Sequence, residues 1–419
     1  MDSAIIPTLL SILPTMSFQS LRRTTQKLLV SDSNGLGIME LNNPRAFHAL
    51  DLEMIFAMQD TLKDWLFDSH IHAFVLKSGA AKRPIFCSGG DVKSVALDCK
   101  NNVYQSHGLG SKGMVSADFF REEYYVNHAL AQQRKTQISL WDGLVFGGGV
   151  GISIFGKYRI ATENSLLAMP ETAIGFFPDV GALYQLQRIL NGTHMTGVLP
   201  YLALTGHRFD APDLLYSGIA THFCPSEHVN DMVEAMELVL GNPHEPPEAA
   251  IETVIHSFDQ LPKQVPPPEE SFLAQNLETL NQVFHESASL ESILQELKGL
   301  NSEFGNTTLT KLQEVSPASL KITLELLKRG KDIKDVGQHL ALEYRLSQHL
   351  MKMGSDFHEG IRAALLDKKK KNAPPAQWNP LDQISDAFVR DYYFEQPIPE
   401  EWNAKDSPIL TSFAETSNL

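Results

Sequence analysis

The sequence predicts an α/β body followed by a helical region, and three observations predict it. Short apolar segments alternate with a helix-period segment early in the chain: LGIMEL at 36–41, an amphipathic run over 51–68, then AFVL at 73–76. That strand–helix–strand order belongs to βαβ-type layers. A glycine-rich strand-to-helix turn, Gly147-Gly148-Gly149, sits mid-chain. Beyond about residue 240, proline-rich loops at 244–247 and 262–270 introduce a stretch to about residue 390 with apolar residues at helical spacing. The expected organisation is a leader over 1–30, an α/β core over 31–240 and a helical region over 241–419 that packs on the core.

Each element has a local reason. Asn42-Asn43-Pro44 ends the first strand, and Asp51 is placed to cap a helix whose Met54, Ile55, Met58, Leu62, Trp65 and Leu66 share one face. Ser78-Gly79 is a loop after the next strand. In FCSGGDVK (86–93), Gly89-Gly90 ends a strand or loop and Asp91 starts a helix. A polar segment over 100–113 leads into a helix over 116–133 carrying Arg121, Glu122 and Glu123 before Tyr124 and Tyr125. Charges on a helix are ordinarily solvated or paired across its face. A strand over 137–140 and a turn at Asp142-Gly143 precede the glycines, which open into an apolar segment over 150–155. Helices follow over 182–190, 199–204 and 211–217, with Asp210 near the start of the last, then a strand over 221–224. In the helical region, Ser316-Pro317 starts a helix over 319–328 and another runs over 336–353.

Composition bounds the function. At 419 residues, 43% hydrophobic and 20% charged, the chain has ample length for a buried core. Lys+Arg 35 against Asp+Glu 50 gives a net charge of −15, which argues against an overall nucleic-acid surface. Local basic clusters could still hold a phosphorylated ligand: Lys93 and the four lysines at 368–371 are candidates, the latter otherwise a solvated loop. Cys87, Cys99 and Cys224 cannot all pair and lack metal-ligand spacing, so a reduced intracellular protein is expected. His358 and Glu359 read as capping and packing residues, because no second His lies at ligand spacing; no metal is expected. No apolar run reaches the roughly 18–20 residues that span a membrane. Residues 1–30 carry Arg22, Arg23, Lys27, many Ser and Thr, and Asp2 as the sole acid, the composition of a mitochondrial transit peptide. The alternative is an untargeted terminus with Met16 as a second start.

The chemistry concentrates in WDGLVFGGGVGISIFGKYRIATENSLLAMPETAIGFFPDVG, residues 141–181. Glycines at a strand-to-helix turn let a ligand approach the backbone, and a helix start leaves N–H donors unpaired. Glu171 follows Pro170 and Asp179 follows Pro178, both beside the apolar Ala173, Ile174, Phe176 and Phe177. Carboxylates in such surroundings are candidates for perturbed acid–base work. Donors for a developing negative charge beside an acid–base pair are the equipment of acyl-group chemistry.

FCSGGDV, FGGGVGISIFGKYRIATE and MPETAIGFFPDVG resemble the crotonase (enoyl-CoA hydratase/isomerase) superfamily, and within it the 3-hydroxyisobutyryl-CoA hydrolases. YLALTG at Tyr201, GIATHFC at Gly218, SPASLKIT at Ser316, LEYRLSQ at Leu342 and DFHEGIRAALLDK at Asp356 extend the likeness over nearly the whole chain after the leader. The resemblance implies the spiral ββα core of crotonases with an added helical region. It also implies a thioester carbonyl held by the backbone N–H groups of Gly90 and Gly148, with Glu171 as the acid–base glutamate. Asp179 matches the hydrolases' second carboxylate and Glu123 a further substrate-site position; Gly148, Glu171 and Asp179 are implied substrate-binding residues as well. A typical hydratase has a second glutamate three residues after the oxyanion glycine, where this chain has Gly151, and a glycine where it has Asp179. Both departures point to thioester hydrolysis of 3-hydroxyisobutyryl-CoA in valine breakdown, with 3-hydroxypropionyl-CoA as a second substrate. The rivals are an enoyl-CoA hydratase or isomerase, and a non-catalytic subunit such as one in a mitochondrial ribosome. The implied partner is an acyl-CoA, with no separate cofactor, nucleic acid or membrane; the matrix is the implied location, and the oligomeric state stays open.

Overall fold

Segments of alternating apolar residues assemble into two sheets in the computed structural model, which describes residues 20–21, 25–101, 115–242, 245–285, 287–368, 370 and 372–410. The strands are β1 (Ser20–Leu21), β2 (Leu28–Ser33), β3 (Leu36–Leu41), β4 (Ala73–Ser78), β5 (Ile85–Cys87), β6 (Thr136–Trp141), β7 (Leu144–Phe146), β8 (Tyr158–Ala161), β9 (Leu166–Ala168), β10 (Phe209–Asp210) and β11 (His222–Phe223). Seven form one sheet in the order β1-β2-β3-β4-β6-β8-β11, and four form a second in the order β10-β9-β7-β5. From β3 to β11 the first sheet is parallel, with β1 and β2 added antiparallel at its edge.

A parallel sheet is covered on both faces, and the pleat sorts its residues between them. Leu36, Ile38, Val75, Ile138, Leu140 and Ile160 face one layer, shared with Met232, Val233 and Met236 of the helix Val229–Leu240 and Ile251, Val254 and Ile255 of the helix Pro247–Asp259. Packing thus carries the sheet's covering layer past residue 240, where composition changes. Met39, Leu41, Phe74 and Leu76 face the larger core with the helix Leu52–Phe67. Asp51 caps that helix by accepting from the Met54 N–H at 3.0 Å.

The end of the expected 1–30 leader overlaps the sheet. Its last residues, Leu28, Leu29 and Val30, pair with Leu41, Glu40 and Met39 in β2–β3, and Leu28 and Val30 are buried. Lys27 is tied to Asp51 and Glu53. Residues 1–19 and 22–24 of the expected leader lie outside the described residues. A second difference is local. The turn at Asp142-Gly143 leads into β7 before the glycines, and the following helix is the single turn Gly148–Gly151. The apolar run stops there because buried polar groups take its backbone. Ser153 Oγ donates to Gly149 O at 2.6 Å, Gln137 Nε2 donates to Ile152 O at 2.9 Å, and Ser139 Oγ donates to Ser153 O at 2.8 Å.

The helical region returns to the core. The helix Val336–Leu350 lies against the helix Val115–Gln132: Tyr344 meets Tyr124 edge-on at 6.4 Å, with Arg121 5.3 Å over the Tyr344 ring. Among the described residues no helix is long and apolar enough to cross a membrane.

Candidate active site

Parallel pairing brings the site together. β5, β7 and β9 run parallel side by side, so the segments leaving their C-terminal ends emerge at one sheet edge. These segments carry Gly89-Gly90, Gly147-Gly148 and Glu171. Gly89 (φ +101) and Gly147 (φ +49) take backbone shapes that favour glycine. A Cβ at Gly148 would stand 3.2 Å from the Gly90 nitrogen, and one at Gly89 would stand 3.6 Å from the Gly148 nitrogen. The two amides are therefore near neighbours. Among the described residues no hydrogen bond accepts from either N–H.

Two carboxylates reach over the glycines. Glu171 opens the 3-10 turn Glu171–Ile174, and its Oε1 would be 2.7 Å from a Cβ at Gly147. Glu123 comes from the helix Val115–Gln132, and its Oε1 would be 2.6 Å from a Cβ at Gly148. Both are buried, and among the described residues Glu171 Oε2 and Glu123 Oε1 have no hydrogen-bond partner. Asp179 is also buried and accepts from the Tyr124 hydroxyl through Oδ2 at 2.7 Å. All five predicted residues thus share this region: Gly90, Gly148 and Glu171 at the sheet edge, Glu123 across from Gly148, and Asp179 hydrogen-bonded to Tyr124, the residue after Glu123.

The electrostatics are those of crowded, desolvated acids. Burial first, then the Asp179 and Glu123 charges, push the Glu171 carboxyl well above the usual carboxylate range. Burial, Asp179 and Glu343 do the same to Glu123. Burial and Glu343 raise Asp179, against the Tyr124 hydrogen bond that lowers it. These carboxyls bind protons more tightly folded than unfolded, so their contribution is fully present below about pH 4 and is lost as pH rises through the raised folded values. The ligand-free protein is therefore expected to melt at a lower temperature at pH 8 than at pH 6, with a smaller difference in Glu171→Gln. Calorimetry at the two pH values checks this; equal slopes in both proteins would contradict it.

Position 151 admits no side chain. A Cβ there would lie 2.4 Å from the Val180 Cβ and 3.0 Å from Asn127 Nδ2. Val180 itself is left-handed (φ +59), strained for a β-branched residue by on the order of 1–3 kcal/mol. The Glu171 turn is held from behind by the helix Asp356–Ile361. A Cβ at Gly360 would fall 2.2 Å from the Ile174 carbonyl, and one at Gly175 would fall 2.1 Å from Asp356 O, so the two backbones touch. Ser316 N–H donates to Thr172 O at 3.2 Å while its hydroxyl donates to Asp356 at 2.5 Å.

Sequence reasoning passed over Tyr124, Asn127, Val180 and Glu343. A spacing signal existed for two of them: Asn127 lies four residues after Glu123 on one helix face, and Tyr124 adjoins it. Of the other candidates, Lys370 pairs with Asp367 at 2.6 Å, Lys93 is exposed, and Lys369 and Lys371 lie outside the residues whose side chains are described. Glu359 pairs with Arg362 at 2.7 Å and the His358 ring meets Met351 O at 3.1 Å. Among the described residues no group of three or more His, Cys, Asp or Glu is placed to hold a metal ion.

Comparison with known proteins places this geometry. A family model described as enoyl-CoA hydratase/isomerase matches residues 36–393. The mitochondrial 3-hydroxyisobutyryl-CoA hydrolase of Xenopus tropicalis is 37% identical over 369 residues, 87% of this chain and 88% of that one. The human protein of that name is 36% identical over 85% of each chain, and that of Dictyostelium discoideum 33% over 84% of this chain and 87% of its own. Among solved structures, a carnitinyl-CoA dehydratase from Mycobacterium thermoresistibile superposes with a TM-score of 0.75 at 27% identity, covering 91% of this chain and all of that one. An enoyl-CoA hydratase from Rhodobacter sphaeroides superposes at 0.71, also at 27% identity, covering 88% of this chain and 97% of its own. The likeness runs through the helical region as well as the sheets, and the chain belongs to the enoyl-CoA hydratase/isomerase family.

Proposed function

We propose that this protein is an acyl-CoA thioester hydrolase that converts 3-hydroxyisobutyryl-CoA and water to 3-hydroxyisobutyrate and CoA. The observation that carries the reading is the pair of unpartnered Gly90 and Gly148 N–H groups beside the buried Glu171, in a chain whose full-length relatives bear that name. The thioester oxygen sits between the two amides, which stabilise the oxyanion when the carbonyl carbon is attacked. Glu171 either removes a proton from the attacking water or attacks the carbonyl itself to form an anhydride that water then opens. In both routes the C–S bond breaks and the thiolate leaves as CoA thiol after taking a proton. Asp179 assists that proton transfer or holds the 3-hydroxyl, with Glu123 lining the acyl site. The chemistry calls for no metal or separate cofactor, because the backbone donors polarise the carbonyl. Valine breakdown in the mitochondrial matrix is the setting this substrate implies, with 3-hydroxypropionyl-CoA as a second substrate.

The hydratase reading fares worse because Val180 and Asn127 occupy the space a second glutamate at position 151 would need. The test measures thiol release from 3-hydroxyisobutyryl-CoA and hydration of crotonyl-CoA side by side. Thiol release from the hydroxy thioester with no hydration is expected. Hydration without thiol release, or neither reaction in a protein that still binds CoA, would sink the proposal.

A further inference from the structure

We infer that Glu343, from the helical region, is a positioning residue that holds the Asp179 turn in its working shape. Asp179 is joined to the helix Ala182–Leu190 by two consecutive left-handed residues, Val180 (φ +59) and Gly181 (φ +69). A turn of that kind is adopted only when its surroundings enforce it. One enforcing contact comes from outside: the Gly181 N–H donates to Glu343 Oε2 at 2.9 Å across 162 residues of sequence. Glu343 is fully buried, and its other oxygen lies 3.0 Å from Nδ1 of His339, one turn earlier on the same helix and equally buried. The His339 ring is fixed in turn against Tyr184 at 5.7 Å. The neighbouring Tyr344 packs on Tyr124, whose hydroxyl holds Asp179. Asp179 is thus gripped twice from one side, at its carboxylate by Tyr124 and at its following backbone by Glu343.

A buried carboxylate so near Asp179 and Glu123 is a costly choice of acceptor for one amide. Its proximity adds to burial in raising the Asp179 and Glu123 carboxyls above the usual carboxylate range. The catalytic core would be incomplete without this helix.

This inference rests on the hydrolase reading, so thiol release by the unaltered protein is measured first and tests that reading alone. Glu343→Leu removes the acceptor, and Glu343→Gln keeps an amide oxygen for Gly181. Glu343→Leu is expected to lose about 10²-fold in kcat with KM within about threefold, the signature of a misplaced group. Glu343→Gln is expected to restore kcat to within about tenfold of the parent. Wild-type kcat in the Leu variant, or equal losses in both variants, would overturn the inference. If the Leu variant does not fold, Glu343→Gln decides: retained kcat supports the acceptor role and a 10²-fold loss refutes it.

Discussion

Glu171→Gln is expected to lower kcat by about 10³-fold or more while leaving CoA affinity within about twofold. The substitution is isosteric, and the turn survives it, because Phe176 N–H donates to the Glu171 main-chain oxygen at 3.0 Å rather than to its side chain. What disappears is the one carboxylate that reaches over Gly147 toward the carbonyl site. Both routes open to the enzyme, general base and anhydride, need it ionised, so the loss does not depend on which operates. The variant should also be at least as stable as the parent. A buried acid crowded by Asp179 and Glu123 destabilises the fold when charged, and an amide removes that penalty. Loss of turnover with a raised melting temperature would separate chemistry from misfolding. Turnover within tenfold of the parent would remove Glu171 from the mechanism.

Gly148→Ala carries the second large effect, about 10²–10³-fold in kcat, the scale of losing one oxyanion donor. The added methyl would meet Glu123 Oε1 at 2.6 Å and Leu50 Cδ1 at 3.3 Å, both of which are side-chain atoms able to swing aside. It would also stand 3.2 Å from the Gly90 nitrogen, which belongs to a backbone bridged to Leu50 and cannot yield in the same way. The methyl thus intrudes between the two donors, where the oxyanion would lie. Steady-state thiol release together with CoA binding checks this. An Ala variant with parental kcat would mean that the oxyanion is held elsewhere.

Much of this arrangement was legible beforehand where its causes are local. Asp51, Asp210 and Ser316 announce helix starts, and each accepts from the backbone N–H three residues on at 3.0–3.1 Å. LGIMEL and AFVL were legible as strands because each is a short apolar run bounded by turn residues. Glycine runs marked Gly89-Gly90 and Gly147-Gly148 as places of close backbone approach. Three-residue β7 escaped notice because so short a segment carries no period to read. The strand pairing of Leu28, Leu29 and Val30 escaped notice because basic, hydroxyl-rich composition upstream outweighed their strand pattern.

Sequence alone therefore determined much of the order of elements, several helix caps, the glycine turns and which carboxylates to propose as acid–base residues, since these depend on neighbours a few positions apart or on motifs read directly. Only tertiary structure decided which way the acids face: Glu123 onto Gly148, Glu171 onto Gly147, and Tyr124 onto Asp179 55 residues later. It likewise decided that Val180 would sit left-handed against Gly151 and that Glu343 would reach back to Gly181. Those contacts exist because parallel strands place separate segments at one edge and a distant helix closes over them. No local propensity encodes a hydrogen bond whose partner arrives with another layer of the fold.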